Sequence, residues 1–500
     1  MGKLRDSMEK WRRSLRDFWS RARYRLGESG WARGPSLRDL RPSGLERHAR
    51  EAEGRLRVAE ERLRLQGERL QASLKGALPW KQARTEAERN IWYLYIEVFW
   101  AGIFLAALAF NATYALRLGG TNTQIGWLSS IPSLLAMVVL VPAARFLETK
   151  SDRAPWLYWS LIVGRALFIG AALAPWVLPR YAAQAVVAVL ILRSLPMHFY
   201  SAGFSPMLAD VIPPRDRALV LANRSIISSA TVAVCTYLFG QWMDAATRIP
   251  WAGFPLNYQL VYIVGAVAGV LSGYFVSRIE PPATAVIERQ RSEFRAARLS
   301  EIRESFRTLV QHNRSFVRIV INTFVFSFGA WLVGPLYMIF FIRQLNASDG
   351  WVGLNTTMAH IGVISGNLLW RRIIDRRGLS WSLRVAVPLA ASYAFLVSFF
   401  PNLNLILLFG VLINLVNPGV NLSHGSMLYS LTPKERRASY MALYATISNI
   451  GAFVAPMIGV ALSKTIDIRW ILLAGGIIRL IGAGMFHAFR IELPEAEVAE

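Results

Sequence analysis

The chain has 500 residues, of which 54% are hydrophobic, a share above that of ordinary soluble domains. Its 56 Lys and Arg against 32 Asp and Glu give a formal charge of +24, and it has a single cysteine. This composition indicates a membrane protein and excludes a disulfide framework. The positive charge is compatible with nucleic acid, with anionic lipid or with basic loops beside a membrane.

The first 89 residues are polar and basic, and no cleavable signal pattern opens the chain. In residues 1–26 apolar side chains recur every three or four positions opposite many arginines, which predicts an amphipathic helix. Such a helix suits either an anionic lipid surface or packing on protein, and periodicity does not distinguish the two. Leucines at heptad spacing in residues 45–74 predict a short coiled coil or a solvated single helix.

From residue 91 onward the pattern changes to apolar segments of about twenty residues, each long enough to cross a bilayer as a helix. The predicted spans are 91–116, 124–145, 156–178, 181–206, 218–243, 257–278, 316–342, 351–371, 381–400, 402–430, 438–462 and 470–490. The predicted fold is therefore an all-α membrane protein with twelve transmembrane helices in two six-helix bundles.

The domain organisation follows from these spans. A polar, arginine-rich segment between the sixth and seventh spans predicts an amphipathic linker helix. The predicted units are a basic N-terminal extension with amphipathic helices (1–89), a six-helix bundle (90–279), a linker (280–315), a second six-helix bundle (316–491) and a tail (492–500).

The loops on one side of the predicted spans carry most of the Lys and Arg, and the basic N-terminal extension lies on the same side. Because positive loops stay in the cytoplasm, we expect a multi-pass protein of the cell membrane with both termini cytoplasmic. The chain shows no zinc-ligand spacing, recognition-helix signature or aromatic RNA-binding motif, so nucleic acid is not an expected partner.

Two charged loops resemble each other across the two predicted bundles. Residues 145–156 read RFLETKSDRAPW and residues 370–381 read WRRIIDRRGLSW, each at the end of an apolar run. Their alignment places Glu148 opposite Asp375.

A second pair of loops supports the same correspondence. Residues 205–218 read SPMLADVIPPRDRA and residues 425–438 read GSMLYSLTPKERRA, which places Arg217 opposite Arg437. Two matching loops in the same order indicate a duplicated unit.

With these loops the chain, from about residue 91 to residue 490, resembles the major facilitator superfamily of secondary transporters. The family's loop between the second and third helices contains Gly, three residues, Asp-Arg, one residue and Gly, and DRRG at 375–378 matches its centre. Arg371 stands where the family has its first Gly, and the first copy departs further, with Ala144 for Gly and Glu148 for Asp.

The resemblance implies a fold of two bundles related by a parallel repeat, and a gate on the cytoplasmic side. In that gate the loop acid meets a helix N-terminus and cations across the two bundles. The alternative is that the charges only set topology. The implied gating residues are Arg145, Glu148, Asp210, Arg217, Asp375, Arg376, Gly378 and Arg437.

Charged residues inside the predicted spans are the first site candidates, because charge within a membrane usually faces a cavity or a partner. Glu97 is the clearest acid, Arg165 and Arg193 are the interior cations, and Arg224 lies near the start of the fifth span. Arg193 resembles the fourth-helix arginine of many proton-coupled family members, and His198 follows five residues later. Glu97 could instead pair with a loop cation, and His198 could simply satisfy a backbone carbonyl.

The family arrangement implies that the first, fourth, seventh and tenth helices line a cavity. Asn414, Asn417 and Asn421 follow three-then-four spacing on the tenth, so they share one face, either for a solute or for bonds between helices. The predicted substrate or coupling residues are Glu97, Asn111, Arg193, His198, Asn322, Asn414, Asn417, Asn421 and His424.

The sequence predicts a secondary active transporter that moves a small solute by alternating access, coupled to an ion and most simply to protons. No metal-ligand spacing, phosphate-binding glycine loop or Ser/His/Asp order stands out, so we expect neither a cofactor nor an enzyme. We expect a monomer. The alternative is a non-transporting scaffold, sensor or lipid-handling protein on the same fold, whose basic tail recruits partners.

Overall fold

The computed structural model describes residues 85–150, 153–280, 313–432 and 437–489, apart from the side chains of residues 148 and 437–439. The predicted N-terminal amphipathic helix, the heptad segment, the linker helix and the C-terminal tail lie outside the described residues.

Every regular element of the described residues is helical. The first half contains α1 (Glu86–Leu108), α2 (Asn111–Arg117), α3 (Asn122–Glu148), α4 (Ala154–Val177), a 3-10 turn (Pro179–Tyr181), α5 (Ala182–Leu192), α6 (Ser194–Val211), α7 (Arg217–Ala246) and α8 (Leu256–Val276). The second half contains α9 (Arg314–Ile339), a π-helical turn (Phe340–Gln344), α10 (Asp349–Arg377), α11 (Leu379–Phe399), α12 (Leu403–Ser430), α13 (Arg437–Leu462) and α14 (Ile468–Ala488).

Eleven helical segments of the described chain are long and apolar enough to cross a membrane, with α1 and α2 forming one segment and α5 and α6 another. Their bounds lie within a few residues of the predicted spans. The remaining predicted span, 351–371, falls within α10, which is long enough but is made more polar by side chains inside the span, Asn355, His360 and Asn367 among them. A full set of twelve crossings therefore stays a prediction.

Two predicted spans are interrupted. The first breaks at Ala109 and Phe110, between α1 and α2, and the fourth breaks at Arg193, between α5 and α6. Pro196 explains the second break, because it has no N–H to offer the carbonyl of Leu192 and its ring crowds that turn.

Local signals fix several helix ends. Thr121 and Gln124 form a reciprocal capping box at the start of α3, and the side chains of Asn313, Ser348 and Asn402 cap α9, α10 and α12. Each cap supplies an acceptor for a backbone N–H that the helix itself cannot satisfy.

α10 continues beyond its apolar run and ends at Gly378, whose φ of 77° and ψ of 168° form a conformation that is open essentially to glycine alone. Asp375 therefore lies in the last turn of a helix, whereas the sequence placed it in a loop.

We call the end of the helices that carries residues 145–150, 212–217 and 371–384 the basic end. The end that carries residues 117–121, 246–256 and 343–349 is the opposite end. The buried apolar side chains form one cluster shared by both halves, which reaches the opposite end through residues such as Tyr114, Tyr258 and Phe340. Two further clusters lie towards the basic end, one confined to each half.

Candidate functional site

Glu97 on α1 forms a buried ion pair. Its side chain accepts hydrogen bonds from Arg224 Nη2 on α7 at 2.8 Å and from Ser272 Oγ on α8 at 3.0 Å. Arg224 also donates to the carbonyl oxygen of Leu94. Because Glu97 is only 3% exposed and both of its oxygens are engaged, this group joins three helices of the first half.

Arg165 and Arg193 lie against the same aromatic ring. The guanidinium carbon of Arg165 is 4.1 Å from the centroid of Phe104, and that of Arg193 is 5.5 Å from it. Arg165 is 4% exposed, and its Nε and Nη1 have no hydrogen-bond partner within the described part of the chain. The ring faces stabilise these cations only in part, because cation–π attraction is weaker than a charged hydrogen bond.

Two predicted site residues of the first half bond to neighbouring helices. His198 Nε2 on α6 lies 2.9 Å from the carbonyl oxygen of Pro132 on α3, a contact in which the ring N–H donates. Asn111 Oδ1 on α2 accepts from the hydroxyl of Tyr262 on α8 at 2.8 Å. Both contacts connect helices, whatever further role these side chains have.

The asparagines of α12 fall into two groups. Asn414 Nδ2 donates to the carbonyl of Gly410 at 2.8 Å, and Asn417 Nδ2 donates to Asn414 Oδ1 at 3.4 Å. Asn421 is exposed. The two bonds stay within α12, so they do not join helices.

Two other predicted residues of the second half are partly unsatisfied. Asn322 Nδ2 donates to the carbonyl of Met485 at 3.2 Å, but its Oδ1 is buried without a partner among the described residues. The ring of His424 lies 5.6 Å from that of Tyr444, and its Nε2 is likewise buried without a described partner.

The sequence interpretation missed Arg479, a half-buried cation of α14. Its guanidinium carbon lies 4.5 Å from the ring centroid of Phe326, and its Nε has no partner in the described chain. A single arginine inside an apolar run is the same signal that identified Arg165, and it could have identified Arg479 as well.

The predicted gating residues all lie at the basic end. Asp375 and Arg376 are exposed in the last turns of α10, and Asp375 has no hydrogen-bond or ion-pair partner among the residues that the structure describes. Arg217 Nη2 donates to the carbonyl of Ala209 at 2.7 Å. The remaining positions end their helices: Arg145 and Glu148 in α3, Asp210 in α6 and Gly378 after α10, while Arg437 begins α13.

At the opposite end, polar side chains connect the two halves. Arg117 Nε lies 3.3 Å from Asp349 Oδ1, and Arg117 Nη2 donates to the carbonyl of Ala347 at 2.8 Å. Ser348 Oγ donates to Asp244 Oδ2 at 2.7 Å. None of these contacts was predicted, because a loop cation gives no sign of its partner in another bundle.

Further contacts of the same kind lie beside this group. Asn122 Nδ2 donates to Ser463 Oγ at 3.2 Å, and Arg343 donates to Asn122 Oδ1 and to the carbonyl of Gly120. The contacts tie the start of α3 to the second half.

Close helix packing accompanies these bonds. α7 and α10 approach at Gly240, where an added Cβ would lie 2.9 Å from the carbonyl oxygen of Asp349 and 3.0 Å from the Cα of Gly353. The hydroxyls of Thr236 and Thr357 lie 3.1 Å apart in the same contact between α7 and α10, which we call the seam. Small side chains let two helices pack this closely.

A cavity of about 410 Å³ lies between α3 and the α5–α6 segment. Its polar lining residues are Gln124 and Gln184, and the others are apolar. None of the interior charges lines it.

The sequence matches the profile of the Major Facilitator Superfamily over residues 57–317 and 319–499. Three uncharacterized transporters of Schizosaccharomyces pombe are each 31% identical to the chain over 156 residues, which is 29% of this chain and 30% of theirs. The match to these relatives therefore spans less than a third of their length.

Solved transporter structures share the fold. A mutant of the nucleoside transporter NupG has a TM-score of 0.62 at 14% identity, covering 80% of this chain and 99% of that one. A bacterial homolog of the human lysosomal transporter Spinster, inward-facing and unoccupied, has a TM-score of 0.59 at 13% identity, with coverage of 81% and 97%. The D-xylose-proton symporter has a TM-score of 0.59 at 14% identity, with coverage of 82% and 97%.

At such low identity these structures support the fold alone, whereas the profile match covers most of the sequence. The chain belongs to the Major Facilitator Superfamily of multi-pass membrane transporters.

Proposed function

We propose that the protein is a secondary active transporter that moves a small solute by alternating access. The observation that carries this proposal is the uneven contact between the halves. They share an apolar cluster and several hydrogen bonds towards the opposite end, whereas each half has its own cluster towards the basic end. Two rigid halves that meet at one end can rock about a central site and then meet at the other.

The positive-inside rule assigns the basic end to the cytoplasm. With that assignment, both termini are cytoplasmic, the present state is inward-facing and the contacts around Arg117 and Asp349 close the outer side. The basic N-terminal extension would then lie on the side of the anionic lipid of the inner leaflet.

Glu97 is the proposed coupling acid. Its carboxylate is held by Arg224, so a proton on Glu97 would remove the charge that binds that arginine and loosen α1 from α7. With Glu97→Gln, we expect exchange of solute between the two sides to persist while uptake driven by a proton gradient is lost. Unchanged gradient-driven uptake would refute proton coupling through Glu97.

Alternating access is tested by locking the opposite end. In a Cys235→Ala background, Asn122→Cys and Ser463→Cys place two thiols where the native side chains are 3.2 Å apart. Proteoliposomes would be screened for uptake of labelled sugars, amino acids, nucleosides and organic acids under imposed proton and sodium gradients.

Oxidation should abolish uptake in the double-cysteine protein, and reductant should restore it, whereas each single-cysteine protein should be insensitive. Uptake that continues with the disulfide formed would refute alternating access. If the reduced protein moves no solute under any gradient, the non-transporting scaffold is favoured instead.

A further inference from the structure

Two arginines near the ring of Phe104 form a positively charged site, and no acid is bonded to them among the described residues. Arg165 lies about midway along α4, 4% exposed, with two of its nitrogen atoms buried and lacking hydrogen-bond partners in the described chain. Arg193 stands at the break between α5 and α6, and its Nε is buried in the same unsatisfied way. The two guanidinium carbons are no farther apart than the sum of their distances to the Phe104 centroid, 4.1 and 5.5 Å.

The nearby acid does not neutralise these cations. Both oxygens of Glu97 are occupied, one by Arg224 and the other by Ser272, and Glu97 balances one positive charge. Arg165 and Arg193 therefore bring two positive charges to one ring with no carboxylate bonded to either among the described side chains. A cation buried as deeply as Arg165 is costly unless something pairs with it.

The surroundings hold the arginines in place. At Gly269 on α8, an added Cβ would lie 2.7 Å from Cδ of Arg165, so this glycine leaves just enough room for the stem of the arginine. Phe104 covers the guanidinium from α1. A position this constrained fixes the direction of the unsatisfied N–H groups before any ligand arrives. Arg193 is partly exposed, and so provides the accessible side of the pair.

We infer that Arg165 and Arg193 form the binding site for an organic oxyanion, a carboxylate or a phosphate, which is the transported solute. The planar fork of a guanidinium matches the two oxygens of such a group, and an oxyanion would supply both the missing acceptors and the missing negative charge. This inference rests on the proposed transport function, since it names the substrate class of that function.

The test measures binding in detergent, where no flux is needed. Melting of the purified full-length protein would be followed with sodium succinate, citrate, inorganic phosphate and glycerol phosphate, at constant ionic strength. Succinamide serves as the neutral control and chloride as the simple-ion control. At about a hundredfold excess over Kd, a bound oxyanion should raise the melting temperature by several degrees and the shift should saturate. Whether carboxylates or phosphates give the larger shift identifies the anion.

Three substitutions make the test specific. Arg165→Met and Arg193→Met should each weaken oxyanion binding about 10- to 100-fold, the loss expected for a charged hydrogen bond. The exposed Arg180→Met should leave the shift unchanged, which controls for the general effect of removing a positive charge. In the absence of anion, the Arg165→Met variant should have a melting temperature no lower than that of the native protein, because a buried cation without a partner does not stabilise the fold.

Several outcomes would overturn the inference. It fails if no oxyanion raises the melting temperature more than succinamide does, or if the rise persists in both methionine variants. It also fails if Arg165→Met lowers the melting temperature in the absence of any ligand. Flux of a neutral or cationic solute without oxyanion binding would retain the transporter and refute the site. Binding that depends on Arg165, in a protein that shows no flux, would retain the site and refute the proposed function.

Discussion

Arginines within the membrane-spanning helices of this protein differ in how their charge is compensated. Arg224 bonds to Glu97 at 2.8 Å, whereas Arg165, Arg193 and Arg479 lie against aromatic rings with no acid bonded to them in the described residues. A paired buried charge is destabilising to break, while an unpaired one is destabilising to keep. Substitution of the paired arginine should therefore lower the stability of the fold, whereas substitution of an unpaired arginine should leave the stability unchanged or raise it.

The ion pair gives the first prediction. Arg224→Met leaves the carboxylate of Glu97 buried without its main partner, and loss of one member of such a pair costs about 3–5 kcal/mol. Unfolding by SDS in mixed micelles should show a loss of this order. The double variant with Glu97→Gln should recover much of the stability, because no buried charge is then left. Equal losses in the single and double variants would contradict the pairing.

For single residues, the sequence identifies which charged side chains lie inside an apolar run, but not which side chains bond to them. A lone charge in an apolar run stands out, which is how Glu97 and Arg165 were found and how Arg479 could have been. The partner of Glu97 lies 127 positions away on another helix, and several interior cations were available to it. Only the packing of α1 against α7 selects Arg224.

At the scale of helices, the apolar runs predicted where helices lie, because length and hydropathy dominate inside a membrane. The break at Arg193 was missed, although Pro196 is a local signal for it. The extension of α10 through Asp375 was missed because arginine and aspartate are tolerated in a helix once it leaves the apolar layer.

Gly378 gives a second prediction. It ends α10 with a φ of 77° and a ψ of 168°, a region essentially restricted to glycine that costs another residue about 1–3 kcal/mol, so Gly378→Ala should destabilise the protein by that amount. Gly425→Ala, within α12 where nothing lies near the added Cβ, should instead be neutral or stabilising. Melting of the two variants in one detergent measures the contrast, and an identical effect would refute it.

The seam between α7 and α10 gives a third prediction. An added side chain at Gly240 would meet the backbone of Asp349 and Gly353, and such overpacking costs about 1–3 kcal/mol. Gly240→Leu should therefore separate the halves at the opposite end and slow disulfide formation between cysteines at positions 122 and 463 at least severalfold. Gly484→Leu, where nothing lies within 4 Å, should leave that rate unchanged. Equal rates in both variants would show that the seam does not hold the end closed.

At the scale of the whole molecule, the repeated loops predicted two similar halves, but not which ends of the halves meet. The same sequence contains the residues that close the basic end and the residues that close the opposite end. The two conformational states differ only in which of these contacts form, so the sequence does not show which state the protein adopts. The structure gives the arrangement in which the opposite end is joined through Arg117 and Asp349, while Asp375 stays exposed.

The last prediction concerns the state in which the basic end closes. In the present state Asp375 has no hydrogen-bond or ion-pair partner among the described residues. The Asp375→Asn variant should therefore keep the melting temperature of this state and the expression level of the native protein. If Asp375 bonds across the halves when the basic end closes, the substitution should reduce the closed population about 5- to 150-fold, the range of typical coupling energies.

Spin labels at Thr149→Cys and Ser430→Cys, in a Cys235→Ala background, would report the distance across the basic end. Asp216→Asn is the matched control, because Asp216 is an acid of the same end that is already engaged by its neighbour Arg215 at 3.3 Å. Loss of the short-distance population in the Asp375 variant alone would establish the latch. Equal distance distributions in both variants, or a loss of expression that accounts for the change, would reduce the role of Asp375 to setting topology.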